Sequence, residues 1–258
     1  MGTATIGPPA RGDLLLNLVR ADLSARYRTT TLGILWFVLN PLLMMFILIA
    51  VFQRMIRLDI PHYPVFVLCA MLPWTFFQMS VSNAATSLPR SSGLVKKVRI
   101  PRVFVPLSAI LASLVHFLIS LAILFVVMAL FAVPFTASLL WLPVVVLVET
   151  VFLTGISLAA CSLNVFYRDV EYLLEPALRA MFYLTPSFYP LSYVPSRWLR
   201  WYLLNPMAGI IETFRQTVML GSLPPFRVFA MSGLISAATL AAGIVIFQRA
   251  EPHFDDYL

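Results

Sequence analysis

The sequence predicts an all-α integral membrane protein with six transmembrane helices, an N-terminal amphipathic interfacial helix, and re-entrant short helices between the fifth and sixth spans. Three observations carry that prediction. Of the 258 residues 60% are hydrophobic and only 11% charged, with a mean hydropathy of +0.90, which is more apolar surface than a water-soluble fold can cover. Uncharged runs reach 25 residues at Thr29 to Gln53 and 46 at Val103 to Val148, far beyond the roughly ten-residue alternation of a membrane barrel strand. The basic residues, with a net charge of +7, collect in the connections between these runs. The positive-inside rule accounts for them, so no nucleic-acid partner is implied.

Residues 1–28 read as a tail followed by the interfacial helix, and 29–258 as the transmembrane domain. From Arg11 to Arg28, Leu14, Leu15, Leu18, Val19, Leu23 and Ala25 share a broad apolar arc, with Asn17, Arg20 and Ser24 opposite. Asp22 and Arg26 interrupt the arc at a spacing that lets them neutralise each other.

The first span, about 29–53, is long enough at about 1.5 Å per residue to cross an apolar layer of about 30 Å with some tilt. Pro41 kinks it and Trp36 anchors one end. The second, about 63–89, contains Pro73. A connection from Arg90 to Arg102 follows, with five basic residues and no acid. The 46-residue uncharged run must hold more than one span. The break at Pro134 to Ser138 divides it, giving a third span at about 103–133 and a fourth at about 139–165 with Glu149 inside.

The fifth span, about 172–190, is the most loaded stretch of the chain. Arg168, Asp169, Glu171 and Glu175 fall within eight residues and Arg179 follows, at a depth where ionisable groups are costly and face a bundle interior or a watery cavity. Pro176 and Pro186 each remove a backbone donor and bend or interrupt the helix. Glu175 and Arg179, in the favourable i,i+4 order, are expected to hold this end of the span in register, so that breaking the pair harms assembly. Arg168, Asp169 and Glu149 complete a set of structural charges.

The region about 196–221 is amphipathic, and its apolar piece Met207 to Leu220 holds Glu212 and Arg215 in 14 residues. That is too short and too polar to span, so it reads as re-entrant and buried against protein. The last span, about 228–248, has Gly233, Ala237 and Ala241 at four-residue spacing, which marks a close-packing face. With six spans, eleven basic residues fall on one side and six on the other, which places both termini in the cytoplasm.

A P-loop needs a lysine after a glycine-rich turn. The chain has two lysines, Lys96 and Lys97, and neither is so placed, so it is not expected to hydrolyse ATP in that manner by itself. No catalytic residue and no metal site are expected either. His62, His116 and His253 are scattered, and Cys69 and Cys161 both lie in apolar runs.

Four stretches, RYRTTTLGILWFVLNPLL at Arg26 to Leu43, LVKKVRIPRVFVPLS at Leu94 to Ser108, NVFYRDV at Asn164 to Val170 and LLNPMAGIIETFR at Leu203 to Arg215, resemble the permease subunit of ABC exporters for bacterial cell-surface polysaccharides. The resemblance covers nearly the whole chain from about Asp13. It implies a homodimer of six-span subunits in the bacterial inner membrane, docked on two copies of a separate ATPase that carries the ATP and Mg, with no cofactor on this chain. Its cargo would be a lipid-linked polysaccharide, O-antigen first, with teichoic acid or capsule as siblings. By likeness, Asp22 and Arg26 of the N-terminal helix and Leu94, Lys96, Lys97, Arg99 and Arg102 of the basic loop would touch the ATPase.

The first and fifth spans would line the channel, and the half-helices would shape its outer mouth. Phe37, Phe46, Phe52, Phe182, Tyr183, Phe188 and Tyr189 lie on those spans, where aromatic faces can stack on sugar C–H faces. Two readings from other classes remain. An ion-coupled secondary transporter would use Glu149, Glu175 and Arg179 and should show an internal repeat, and none is visible. A membrane-embedded glycan transferase would need an acid or base constellation at the interface, and none stands out.

Overall fold

The computed structural model of the chain describes residues 11–27, 35–57, 60–93 and 100–257, with side chains described throughout these except at 11, 26, 27, 35, 37 and 38. Every regular element among the described residues is helical. In order they are α1 (Arg11–Tyr27), α2 (Leu35–Leu48), which runs on as a π-helical stretch Ile49–Met55, α3 (Tyr63–Arg90), α4 (Phe104–Leu130), a 3-10 turn Ala137–Trp141 leading into α5 (Leu142–Phe166), α6 (Asp169–Leu184), α7 (Ser196–Leu203), α8 (Pro206–Val218) and α9 (Phe226–Ala250). A 3-10 turn Glu251–His253 and the short α10 (Phe254–Tyr257) close the chain.

Among the described residues four helices are long and apolar enough to cross a membrane: α3, α4, α5 with its leading turn, and α9 with its continuation to Tyr257. Their limits fall close to the expected second, third, fourth and sixth spans. The part of the first span before Leu35 lies outside the described residues, and α2 with its π extension accounts for the rest.

The fifth span differs most from expectation. α6 has 16 residues, about 24 Å at about 1.5 Å per residue, against a hydrocarbon layer of about 30 Å. It runs on through Pro176 and stops at Leu184, because Pro186 excludes helical geometry from the residue before it. Thr185 accordingly sits at φ −94, ψ 141. Apolar character continues to Pro190, but helix does not.

α3 is the centre of the bundle. It packs against α2, α4, α5, α6 and α8, and its first half, Tyr63 to Trp74, is buried on every side. Ring contacts carry this packing outward: Phe76 on Phe117 of α4 at 4.9 Å, Phe77 on Phe152 of α5 at 5.5 Å, and Trp74 on Phe182 of α6 at 5.2 Å. Lipid is as apolar as leucine, so burial drives helix association weakly and close van der Waals fit must do more. The buried hydroxyls of Ser113, Ser120, Ser162, Thr213, Thr217 and Ser236 donate to the carbonyl one turn back, so they need no partner from another helix.

α9 packs against α5 by backbone contact. A Cβ on Gly155 would collide with the Thr239 carbonyl, and one on Gly243 with the Gly155 carbonyl. The packed face of α9 is therefore Ser232, Ser236, Gly243 and Phe247. It is not the expected Gly233, Ala237 and Ala241: Ala237 and Ala241 are exposed, and Gly233 has open space beside its Cα. Small residues mark two faces of this helix, and Gly155 on the facing helix selects between them.

α1 packs against α4. Leu14, Leu15, Leu18, Val19, Asp22 and Leu23 form its covered stripe, while Ala25 is exposed. The covered side differs from the expected arc: Asp22 lies on it and Ala25 does not.

Candidate functional site

Two ends of the bundle concentrate the polar chemistry. At the end away from α10, α6 gives way to the turn Thr185 to Pro190, and this turn is held from three directions. Arg215 of α8, 4% exposed, donates through one terminal nitrogen to the Pro186 carbonyl at 2.7 Å and the Tyr189 carbonyl at 3.2 Å, and through the other to the Ser187 carbonyl at 2.6 Å. Its guanidinium carbon also lies 3.6 Å from the centroid of the Phe66 ring, close enough for a strong cation–π contact. The Tyr63 hydroxyl donates to the Phe188 carbonyl at 3.4 Å. Asn205 caps α8 by accepting from the Met207 N–H at 3.1 Å, and its amide donates to the Thr185 hydroxyl at 2.8 Å.

Arg215 is the residue that sequence reasoning undervalued. It was counted as one of two charges on a short helix, yet it satisfies three carbonyls that the broken helix leaves without N–H partners. The signal was available: an arginine flanked by apolar residues needs carbonyls to pair with, and a proline-bounded turn supplies them.

The expected channel aromatics separate into two kinds. Phe52, Phe182 and Phe188 form one cluster, Phe52 stacked on Phe188 at 5.6 Å and Phe182 edge-on to it at 4.8 Å. Phe188 is buried at its centre, so it joins α2, α6 and the turn instead of presenting an open ring. Phe46 and Tyr183, at 61% and 65% exposure, do present open rings. The Phe37 side chain lies outside the described residues.

Tyr189 turns toward a further basin of about 360 Å³ that it shares with Tyr193, Val194, Pro195, Trp198 and Tyr202. Its hydroxyl lies 3.1 Å from that of Tyr202.

The charges of α6 lie along the same outward side. Arg179 donates to Glu175 at 2.6 Å, with both side chains about two-thirds exposed. With Pro176, Ala180 and Tyr183 they border a hollow of about 350 Å³. Glu149 stands apart: it is fully buried in α5, and neither carboxylate oxygen has a hydrogen-bond partner among the described residues.

At the terminal end, the helices that flank the basic loop are tied to other elements. Arg90 pairs with Glu171 of α6 at 3.3 Å. Arg102 donates to the Glu251 carbonyl and to Asp255, and Arg168 to the Tyr257 carbonyl at 3.4 Å. Asp169 is exposed in the first turn of α6. Asp22, with Leu18, lines a cleft of about 190 Å³ beneath α1, facing Asn83, Ser87, Arg90 and Ser108. Leu94, Lys96, Lys97, Arg99 and the Arg26 side chain lie outside the described residues. Among the described residues no three His, Cys, Asp or Glu side chains converge as a metal site would require.

Residues 13–219 match the family described as ABC-2 type transporter. An O-antigen export system permease protein RfbA of Klebsiella pneumoniae is 32% identical over 251 residues, covering 95% of each chain. One of the same description from Myxococcus xanthus is 31% identical over 243 residues, 93% of this chain and 94% of that one. More distantly, a polysialic acid transport protein KpsM of Escherichia coli is 19% identical over 233 residues, 89% and 90% of the two chains.

Proposed function

From the premise that this chain belongs to the ABC-2 type transporter family, which covers residues 13–219, we infer that it is the permease subunit of an ATP-driven exporter of cell-surface polysaccharide. O-antigen, carried on a lipid, is the cargo that the relatives of about 30% identity favour. Two copies pair in the bacterial inner membrane with both termini cytoplasmic. Two copies of a separate ATPase, holding the ATP and Mg, dock against the terminal end. Leu94, Lys96, Lys97 and Arg99 of the basic loop, together with Arg102 and with Asp22 and Arg26 of the N-terminal helix, receive it.

One observation carries this reading. Among the described residues α2 and α6 leave Phe46, Tyr183 and the hollow at Pro176 uncovered, while the first half of α3 is enclosed on all sides. Two such walls facing each other enclose a corridor. Its open rings suit the C–H faces of successive sugars without demanding one sugar type. α2 and α6 count as the first and fifth of six spans, with α7 and α8 re-entrant between the fifth and sixth. Those short helices close the outer mouth, and Arg215 fixes the turn at which the corridor meets it.

The test is genetic and chemical together. Cells without this chain should lose surface polysaccharide and accumulate the lipid-linked glycan inside, and a Phe46→Ala, Tyr183→Ala variant should restore export only in part. Unchanged surface polysaccharide in cells lacking the chain would overturn the reading. The purified chain should show no ATPase activity until the nucleotide-binding subunit is added, because it carries no lysine-bearing phosphate loop.

A further inference from the structure

One cleft belongs to neither the corridor nor the ATPase end. It lies between α7 and α9, with a volume of about 800 Å³, and its walls are strongly unequal in chemistry. Arg197 and Arg200 stand on α7, with Trp201 and Leu204 following at helical spacing, and Leu203 and Met231 complete an apolar floor. On α9, Arg227 is exposed and lies one turn before Met231 on the same helical face. Trp198 and Tyr202, on the other side of α7, line the aromatic basin. Arg200 and Arg197 both border the cleft, and the Arg197 guanidinium carbon also lies 5.8 Å from the centroid of the Trp198 ring.

We propose that this cleft binds one anionic glycerophospholipid of the surrounding bilayer, with its phosphate at Arg197 and Arg200 and an acyl chain along Leu203, Leu204 and Met231. Charge complementarity selects the head. From Pro176 to Ile211 the sequence contains no acid, and neither arginine pairs with a carboxylate among the described residues. Guanidinium groups match phosphate oxygens through paired, directed N–H donors.

The floor selects the tail. It is apolar, it adjoins a helix long enough to cross the membrane, and Trp201, two-thirds exposed, is the residue type that settles at the headgroup level. Cations at the rim above an apolar trough repeat the order of groups along a phospholipid. The lipid carrier of the cargo is the less suitable occupant, because the corridor proposed for it is walled by α2 and α6, whereas this cleft is lined by α7 and α9.

Native mass spectrometry of the full-length chain, released from detergent and titrated with phosphatidylglycerol or with phosphatidylcholine of the same acyl chains, tests this. The wild type should keep one phosphatidylglycerol per chain, with a preference of about tenfold over phosphatidylcholine. Arg197→Gln with Arg200→Gln should bring retention down to the phosphatidylcholine level, and the corresponding double lysine variant should keep part of the preference. Met231→Trp fills the trough and leaves both arginines in place, so it should lose the lipid even if the arginine variant proves unstable. Arg179→Gln, an exposed arginine elsewhere, should change nothing. Equal retention of the two lipids, retention by the double glutamine variant, an equal loss in Arg179→Gln, or displacement by an equimolar polyprenyl phosphate would each overturn the proposal.

Discussion

Replacing Arg215 by glutamine tests what holds the turn after α6. The substitution removes a cation that makes three bonds to carbonyls, two of them in buried surroundings, and a ring contact at 3.6 Å. A hydrogen bond from a charged donor contributes about 1.5 kcal/mol at the low end, so three sum to about 4–5 kcal/mol. Contacts sharing one side chain are not additive, and hydrogen bonds inside membrane proteins average less than this. About 3 kcal/mol of local stability is the working figure, which at about 1.4 kcal/mol per decade corresponds to an opening population raised about 100-fold.

Hydrogen–deuterium exchange by mass spectrometry, on the protein in lipid nanodiscs, reads this directly in peptides covering Thr185 to Tyr189. Exchange there should rise by about two decades while the peptides of α3 and α4 stay protected. Arg215→Lys should fall between, since an ammonium keeps the charge but lacks the fork that reaches three carbonyls at once. If the glutamine variant exchanges within about twofold of wild type, then Tyr63 and Asn205 hold the turn and the role given to Arg215 is wrong.

Tyr183→Ala should leave dimer yield and basal ATPase of the complex unchanged and reduce surface polysaccharide several-fold, whereas Phe188→Ala should lower the melting temperature, because only Phe188 is buried in the ring cluster. Gly155→Ala or Gly243→Ala should cost at least about 1–3 kcal/mol through collision with facing backbone, while Gly233→Ala should be neutral in the same thermal assay because nothing lies near its Cα. Arg179→Ala should assemble at close to full yield in size-exclusion analysis, since an exposed i,i+4 pair contributes only about 0.3–0.5 kcal/mol.

Helix extents were legible wherever a charge, a proline or a glycine-free apolar run bounded them: α3 was expected over 63–89 and runs from Tyr63 to Arg90. The end of α6 was legible only in part: Pro186 is expected to bend or interrupt the segment, but Phe188, Tyr189 and Pro190 keep it apolar after the helix has ended, which carries the expected span on to 190. Hydropathy cannot register the loss of backbone hydrogen bonds. The 175/179 pair was legible as geometry but not as energy. Spacing alone gives the 2.6 Å contact, whereas its exposure, which makes it weak, depends on what covers α6. The packed face of α9 depended in the same way on a second helix, through Gly155.

The stretch from Asn164 to Val170 shows where such reasoning turns. Its charges do not hold it: Glu171, just beyond it, pairs with Arg90, but these side chains are 47% and 69% exposed and the pair contributes little. Asn164 is fully buried. Its amide donates to the Ala85 carbonyl of α3 at 3.0 Å, and its oxygen accepts from the Glu171 N–H at 3.1 Å, one of the N–H groups that the first turn of α6 leaves without an intrahelical partner. One uncharged side chain at the end of α5 thereby joins α3 to the start of α6, and in a low-dielectric interior its loss would leave a carbonyl and an amide unpaired at once. α6 is therefore fixed at its first turn by Asn164 and at its last by the turn that Arg215 holds, while its middle, with Glu175, Pro176 and Arg179, stays uncovered. A helix held at both ends and open along its length can face a partner or a passing chain without being displaced from the bundle.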